Sequence, residues 1–226
     1  MRLHNPTFES DGFEIRHAVI DTRQIAAIKA EIRIDHEILR HTGIRNLEKK
    51  FGCIAEVASD PSVLSIAESM LGGPSKLVRA LFFDKTEERN WSVPWHQDRT
   101  VALNQRIDMH GWVGWTVKDG VHHVQPPQLV LDHMVTIRLH VDDADVETGC
   151  LVVIPGSHRL GVLASDAIRK AVVHATHQDC LVCAGDAVIM HPPLLHSSGK
   201  SRGAGHRRVV HLEYSSYRLP DGIAWA

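Results

Sequence analysis

The chain has 226 residues, 43% of them hydrophobic, which is enough to bury a full core and is consistent with one domain over 1–226 rather than two. Its 25 basic and 27 acidic residues leave a formal charge of -2, so no electrostatic footprint for a phosphate backbone or an anionic membrane is visible. Met1 to Ser10 lack the apolar stretch of a secretory signal and no run is long enough to cross a bilayer, so the expectation is a soluble cytoplasmic protein that binds neither nucleic acid nor membrane.

In chain order, Asp21 or Thr22 caps a helix reaching about Leu39, with Ile25, Ile28 and Ile32 on one face. A second helix is punctuated at both ends. Asp60 and Pro61 start it, Val63, Leu64, Ala67, Met70 and Leu71 supply its apolar stripe, and Gly72-Gly73 stops it. After Pro74 the pattern becomes short β-rich runs: Leu77 to Lys85, Val135 to Asp142, Cys150 to Ile154, Cys180 to Cys183, Ala187 to Met190 and Arg208 to Tyr214. That is the signature of a β-sandwich or barrel with helices in front of it. Asn104 to Pro127 contains Trp112, Trp115 and three glycines and reads as too broken for regular structure, either a lid over a site or a packed surface loop. Ser165 to Val173 reads as one short extra helix. No internal repeat or low-complexity tract is found.

Four cysteines give no disulfide framework. Cys180 and Cys183 form a CxxC whose companions, Cys53 and Cys150, are single and distant, so structural cysteines are favoured over a zinc site. Histidine is the unusual feature, with 17 in the chain, because neutral imidazole is a common transition-metal ligand.

Trp95-His96-Gln97-Asp98 sets an imidazole and a carboxylate two residues apart, and on a strand both point to one face. Alone His-x-Asp is a weak signal. It sharpens with the segment from Gly185 through His191 and His196 to Ser198, followed by Arg207 and His211. Two histidines and one carboxylate on one side of a metal leave three open positions, the arrangement of Fe(II) oxygenases that bind cosubstrate and O₂ together. A closed four-ligand zinc site leaves no such room.

Three segments occur in the order of a known family: Val93-Pro94-Trp95-His96-Gln97-Asp98, the stretch from Glu147-Thr148-Gly149-Cys150 to Pro155-Gly156-Ser157-His158, and His196 to Arg207. Over most of its length the chain resembles the phytanoyl-CoA dioxygenase family of Fe(II)/2-oxoglutarate oxygenases. The resemblance implies a mainly β fold with flanking N-terminal helices, a double-stranded β-helix of the jelly-roll or cupin-like kind. It implies His96, Asp98 and His196 as Fe(II) ligands, Arg207 as the grip on the far carboxylate of 2-oxoglutarate, Ser198 as its hydroxyl partner, and O₂ as the second cosubstrate. Asp98 in place of a small residue favours hydroxylation or desaturation over halogenation. His191 competes for the second-histidine role, but its spacing to Arg207 and the adjacent Ser198 favour His196.

Arg79, Lys85 and Arg138 each either hold an anionic substrate or pair with a carboxylate, and the ion pair is the commoner outcome. Trp115 and Lys118 either reach the substrate from the lid or anchor a loop. His122-His123 would face opposite ways on a strand, which argues against a metal site. Two other functions stay open from sequence: a cupin-type metal enzyme that ignores 2-oxoglutarate, and a metabolite-binding β-sandwich without catalysis.

Overall fold

The computed structural model describes residues 6–34, 44–118, 120–203 and 205–226. The N-terminal third holds α1 (Pro6–Asp11), β1 (Phe13–Arg16), α2 (Thr22–Ile34), β2 (Ile44–Arg45), α3 (Leu47–Lys50), α4 (Gly52–Ser59) and α5 (Pro61–Leu71). Strands then dominate: β3 (Lys76–Lys85), β4 (Val93–His96), β5 (Val101–Leu103), β6 (Val113–Lys118) and β7 (Val121–Gln125) lead through a short α6 (Gln128–Leu131) to β8 (Met134–His140) and β9 (Leu151–Val153). After α7 (Ser165–His174) come β10 (Gln178–Cys180), β11 (Ala187–Met190), β12 (His196–Ser198) and β13 (Arg207–Ser215). Among the described residues no helix is long and apolar enough to cross a membrane.

The two expected N-terminal helices form for the expected reasons, and the short extra helix expected over Ser165 to Val173 forms as α7. Asp21 Oδ1 accepts from the Gln24 amide at 2.8 Å, capping α2, and Ile28 and Ile32 are buried on its inner face. The further extension to Leu39 lies outside the described residues. Asp60 Oδ1 accepts from the Ser62 amide, Pro61 occupies the first turn of α5, and Gly72 ends it at φ +71°.

The jelly roll consists of a six-stranded sheet in the order β1-β11-β8-β13-β3-β2 facing a four-stranded sheet in the order β10-β9-β12-β4. One face of the large sheet, carrying Ile137, Leu139, Val210 and Leu212, packs on Ile28, Ile54 and other residues of the helical layer. The Tyr214 hydroxyl adds a 2.7 Å hydrogen bond to the Ala58 carbonyl of α4. Between the sheets, Phe13, Leu151, Val153, Val188, Met190 and Leu194 form a second core. Every residue of β8 is therefore buried, since that strand has neighbours on both faces.

The Asn104 to Pro127 segment departs from its expectation. β5, β7 and β6 form a separate three-stranded sheet, with Lys118 pairing with Val121 around Gly120 (φ +76°). The alternation Val113, Trp115, Val117 and the Asp119-Gly120 dipeptide are a hairpin pattern that the surrounding glycines and prolines obscure. Trp112 is buried with Val101, Leu103, Val124 and Met134 in a third core beneath this sheet.

Candidate metal centre

His96 ends β4 and His196 begins β12, and the two are register partners across the antiparallel pair. Residues a hundred positions apart thus become neighbours, their ring centroids 4.1 Å apart. Each ring is aimed by the backbone two residues before it. His96 Nδ1 lies 2.8 Å from the Pro94 carbonyl and His196 Nδ1 lies 2.9 Å from that of Leu194. A carbonyl only accepts, so both Nδ1 atoms carry the hydrogen and both Nε2 atoms offer a lone pair.

Asp98 was expected on the strand but lies just past its end, where its amide donates to the Pro192 carbonyl at 2.9 Å. Its carboxylate still meets both rings, with Oδ1 3.8 Å from His96 Nε2 and Oδ2 3.6 Å from His196 Nε2. Burial pushes the Asp98 carboxyl upward, but His196, His211, His96 and Arg79 together outweigh it and hold the group well below the usual carboxylate range. Burial takes His196 down to about 3 despite Asp98, so the ring is neutral and ready to donate its lone pair.

The ligand atoms of His96, Asp98 and His196 lie within 4.8 Å of one another. Ligands bonded to one ion at about 2.1 Å stand about 3 Å apart when adjacent, so a small contraction closes the set. Asp98 Oδ2 is buried without a hydrogen-bond donor among the described residues, an expensive state that a cation would relieve. These residues fit a divalent metal. A second grouping of Asp98, His211 and Glu213 is also close enough. There, however, His211 Nε2–H donates to Glu213 at 3.1 Å, His211 Nδ1 accepts from Arg138 at 2.8 Å, and Arg79 grips Glu213 bidentately at 2.5 and 2.9 Å. That network has already satisfied itself.

The sequence motifs between the ligands are mostly braces. Gln97 donates to the carbonyls of Gly161 and Pro193 and accepts from the Leu163 amide, tying the His96–Asp98 segment to its surroundings. The Ser157 hydroxyl accepts from the Leu195 amide, fixing the approach to His196. Gly149 (φ +71°) comes so near the Gly199 carbonyl that an added Cβ would sit 2.5 Å from it, and its own carbonyl accepts from Ser198 Oγ at 2.9 Å.

Beside the triad lies a cavity of about 530 Å³, part of it open to solvent, whose walls include Lys85, Trp91, Arg138, Ser198, Arg207 and His211. Lys85 and Arg207 are register partners across β3 and β13, two buried cations directly opposite one another. Like charges so placed repel unless an anion lies between them. Ser198 Oγ joins the two, 2.7 Å from Lys85 Nζ and 3.4 Å from Arg207 Nη2, while Lys85 also donates to the Gly199 carbonyl. Among the described residues Arg207 Nε and Nη1 are buried without hydrogen-bond partners. Burial and the facing Arg207 and Arg138 charges bring Lys85 down to about 7, and burial followed by Arg138 brings Arg207 to about 10. The wall thus presents two cations and unpartnered N–H groups with no carboxylate in contact among the described residues.

Other candidates resolve differently. Arg79 is the expected ion pair, with Glu213. Lys85 and Arg138 are not: among the described residues neither has a carboxylate partner. Arg208 faces away and pairs with Asp142 at 2.7 Å. His191 stacks between Phe8 and His158, away from the triad. Trp115 and Lys118 do not line the cavity; Trp115 packs into the third core and Lys118 is exposed. His211 was passed over in sequence, although a period-two reading places it on the same strand face as Arg207.

A jelly roll with two imidazoles and one carboxylate at its mouth defines a class, the non-haem iron oxygenases. The sequence model of the phytanoyl-CoA dioxygenase family matches residues 8–209, and the chain belongs to that family. It is an Fe(II)- and 2-oxoglutarate-dependent dioxygenase, using O₂ as its second cosubstrate. Among characterised proteins it is similar to L-proline trans-4-hydroxylase of Streptomyces griseoviridis, 23% identical over 211 residues, covering 79% of this chain and 71% of that protein. Its fold matches the crystal structure of AviO1 from Streptomyces viridochromogenes Tue57, with a TM-score of 0.70, 24% identity and coverage of 95% of this chain and 94% of that one. It also matches HygX from Streptomyces hygroscopicus with nickel and 2-oxoglutarate bound, with a TM-score of 0.65, 17% identity and coverage of 94% and 86%.

Proposed function

We propose that residues 1–226 form a single catalytic domain in which His96, Asp98 and His196 hold Fe(II), and that the enzyme hydroxylates an aliphatic C–H bond of a small molecule. The observation that carries this reading is the convergence of three ligand atoms within 4.8 Å, both imidazoles presenting Nε2. When bound, Fe(II) with 2-oxoglutarate and O₂ supplies the oxidant for the C–H bond and leaves succinate and CO₂.

The chain's own residues bind and orient. Arg207, whose Nη1 has no partner among the described residues and whose Nη2 has only a 3.4 Å contact to Ser198 Oγ, offers that edge of its guanidinium to the far carboxylate of 2-oxoglutarate, which such a fork matches bidentately. Ser198 and Lys85 complete the cradle from β12 and β3. Leu81, Phe83, Trp91 and Leu151 line the same cavity and exclude water from the reacting carbon. L-proline is a reasonable first substrate to try, since a hydroxylase of L-proline is a relative.

The test is Asp98→Ala measured for Ni(II) affinity by calorimetry and for Fe(II)-dependent succinate formation. Removing one of three ligands should weaken metal binding at least about a hundredfold and abolish succinate. Metal-dependent succinate at the wild-type rate in this variant would remove the assignment.

A further inference from the structure

Arg138 is left over when the metal and 2-oxoglutarate have been provided for. It lies mid-strand on β8, 7% exposed, on the face that lines the cavity. Its Nη1 donates to His211 Nδ1 at 2.8 Å, and the guanidinium carbon lies 5.6 Å from the centre of the Phe83 ring. Its Nε is buried with no hydrogen-bond partner among the described residues. Among the described residues this buried cation touches a neutral imidazole and an aromatic face, with the Asp98 charge nearby but no carboxylate in ion-pair contact, a costly arrangement for stability alone.

The residues around it hold it in place rather than neutralise it. Glu213 is committed to Arg79 and to His211 Nε2, and His211 turns its remaining nitrogen to Arg138. This chain of contacts fixes the rotamer of Arg138 beside Asp98, since His211 Nε2 is also 3.8 Å from Asp98 Oδ2. Over the loaded cavity as a whole, the positive charges of Fe(II), Arg79, Arg138 and Arg207 exceed the negative charges of Asp98, Glu213 and the 2-oxoglutarate dianion by one, even with Lys85 neutral.

Resting on the metal and cosubstrate reading above, we infer that Arg138 anchors a carboxylate of the primary substrate, so the enzyme acts on small carboxylic acids. The two ends of the cavity divide the labour. Lys85, Ser198 and Arg207 serve the cosubstrate, and Arg138, steadied by His211, serves the substrate near the metal. A guanidinium suits this role because it stays charged when desolvated and pairs with a carboxylate through two N–H groups.

The experiment uses the full chain loaded with Ni(II) and saturating 2-oxoglutarate, which occupies the Arg207 end. Thermal midpoints are measured with butanoic, hexanoic and cyclohexanecarboxylic acids and with the corresponding primary amides. At least one acid should raise the midpoint of the wild type and its amide should not. Arg138→Gln should abolish that rise, Arg138→Lys should restore part of it, and the Kd for 2-oxoglutarate should change by less than about threefold in either variant. Ligand-free midpoints of both variants establish that they fold. The inference is overturned if no acid shifts the wild type, if amides act as well as acids, or if Arg138→Gln keeps the shift. It is also overturned if Arg138→Gln weakens 2-oxoglutarate about tenfold or more, which would assign the guanidinium to the cosubstrate. Failure of the wild type to take up Ni(II) and 2-oxoglutarate at all is a separate result that removes the underlying reading along with this one.

Discussion

The two faces of the large sheet are equally buried and opposite in character. On β8 and β13, Val135, Ile137, Leu139, Val210, Leu212 and Tyr214 point to the helices, while Thr136, Arg138, His140, Arg207, His211 and Glu213 alternate with them toward the small sheet. The first set gains about 25 cal/mol for each Å² removed from water, whereas polar groups gain nothing unless partnered. Several of the second set are not: among the described residues Thr136 Oγ, both ring nitrogens of His140, Arg138 Nε and two nitrogens of Arg207 have no hydrogen-bond partner. One face supplies the stability that the other spends on binding.

The contrast can be broken from either side. Ile137→Ala on the helix face should cost about 2–5 kcal/mol in chemical denaturation while leaving the 2-oxoglutarate affinity of the folded protein intact. Arg207→Leu on the cavity face should do the reverse. It should weaken 2-oxoglutarate by about 1.5–3 kcal/mol, roughly ten- to a hundredfold, with a melting midpoint equal to or above that of the wild type because a buried unpaired charge is gone. A stability loss in Arg207→Leu as large as that in Ile137→Ala would erase the distinction.

Acid gives a smaller effect. Burial, then Arg138 and Arg207, depress His140 from its ordinary 6.5 to about 3, against weak opposition from Asp186 and Asp142. The folded state keeps this ring neutral while the unfolded chain takes up a proton, so its contribution is present above pH 6.5 and lost as pH falls toward 3. His140→Leu should reduce the slope of stability against pH in that window by up to about 1.4 kcal/mol per pH unit, read from urea unfolding at several pH values. An unchanged slope would mean that His140 is not buried neutral. The smallest effect concerns Lys85, which at about 7 loses its charge near neutrality under the influence of burial, Arg207 and Arg138. The Kd for 2-oxoglutarate should rise by roughly three- to tenfold as the pH passes from about 6.5 to about 8, and Lys85→Met should flatten that rise.

The chain's local patterns made much of this legible. Runs of β-forming residues identified β3, β8, β11 and β13, caps identified α2 and α5, and the spacing from His196 to Arg207 favoured, over His191, the histidine that lies beside His96 and Asp98. Partnership between strands was hidden. Whether Arg79, Lys85 or Arg138 meets a carboxylate depends on register: β13 sets Glu213 opposite Arg79 but Arg207 opposite Lys85. No property of either strand alone reveals that. The β6–β7 hairpin was missed for another reason, since Gly111 and Pro126-Pro127 flank it and Gly114 lies within β6, and together they read as breaks throughout.

β4 lies at the rim of the small sheet, hydrogen-bonded to β12 on one side only. A rim strand of four residues frays readily, yet this one carries His96, and the ladder beside it is irregular between His196 and Ser198. An ion shared by the two imidazoles would clamp the loose border to the strand within. Amide hydrogens of Trp95 and His96 would then exchange with solvent more slowly in the metallated protein, making the cofactor a fastener of the barrel's mouth as well as its reagent.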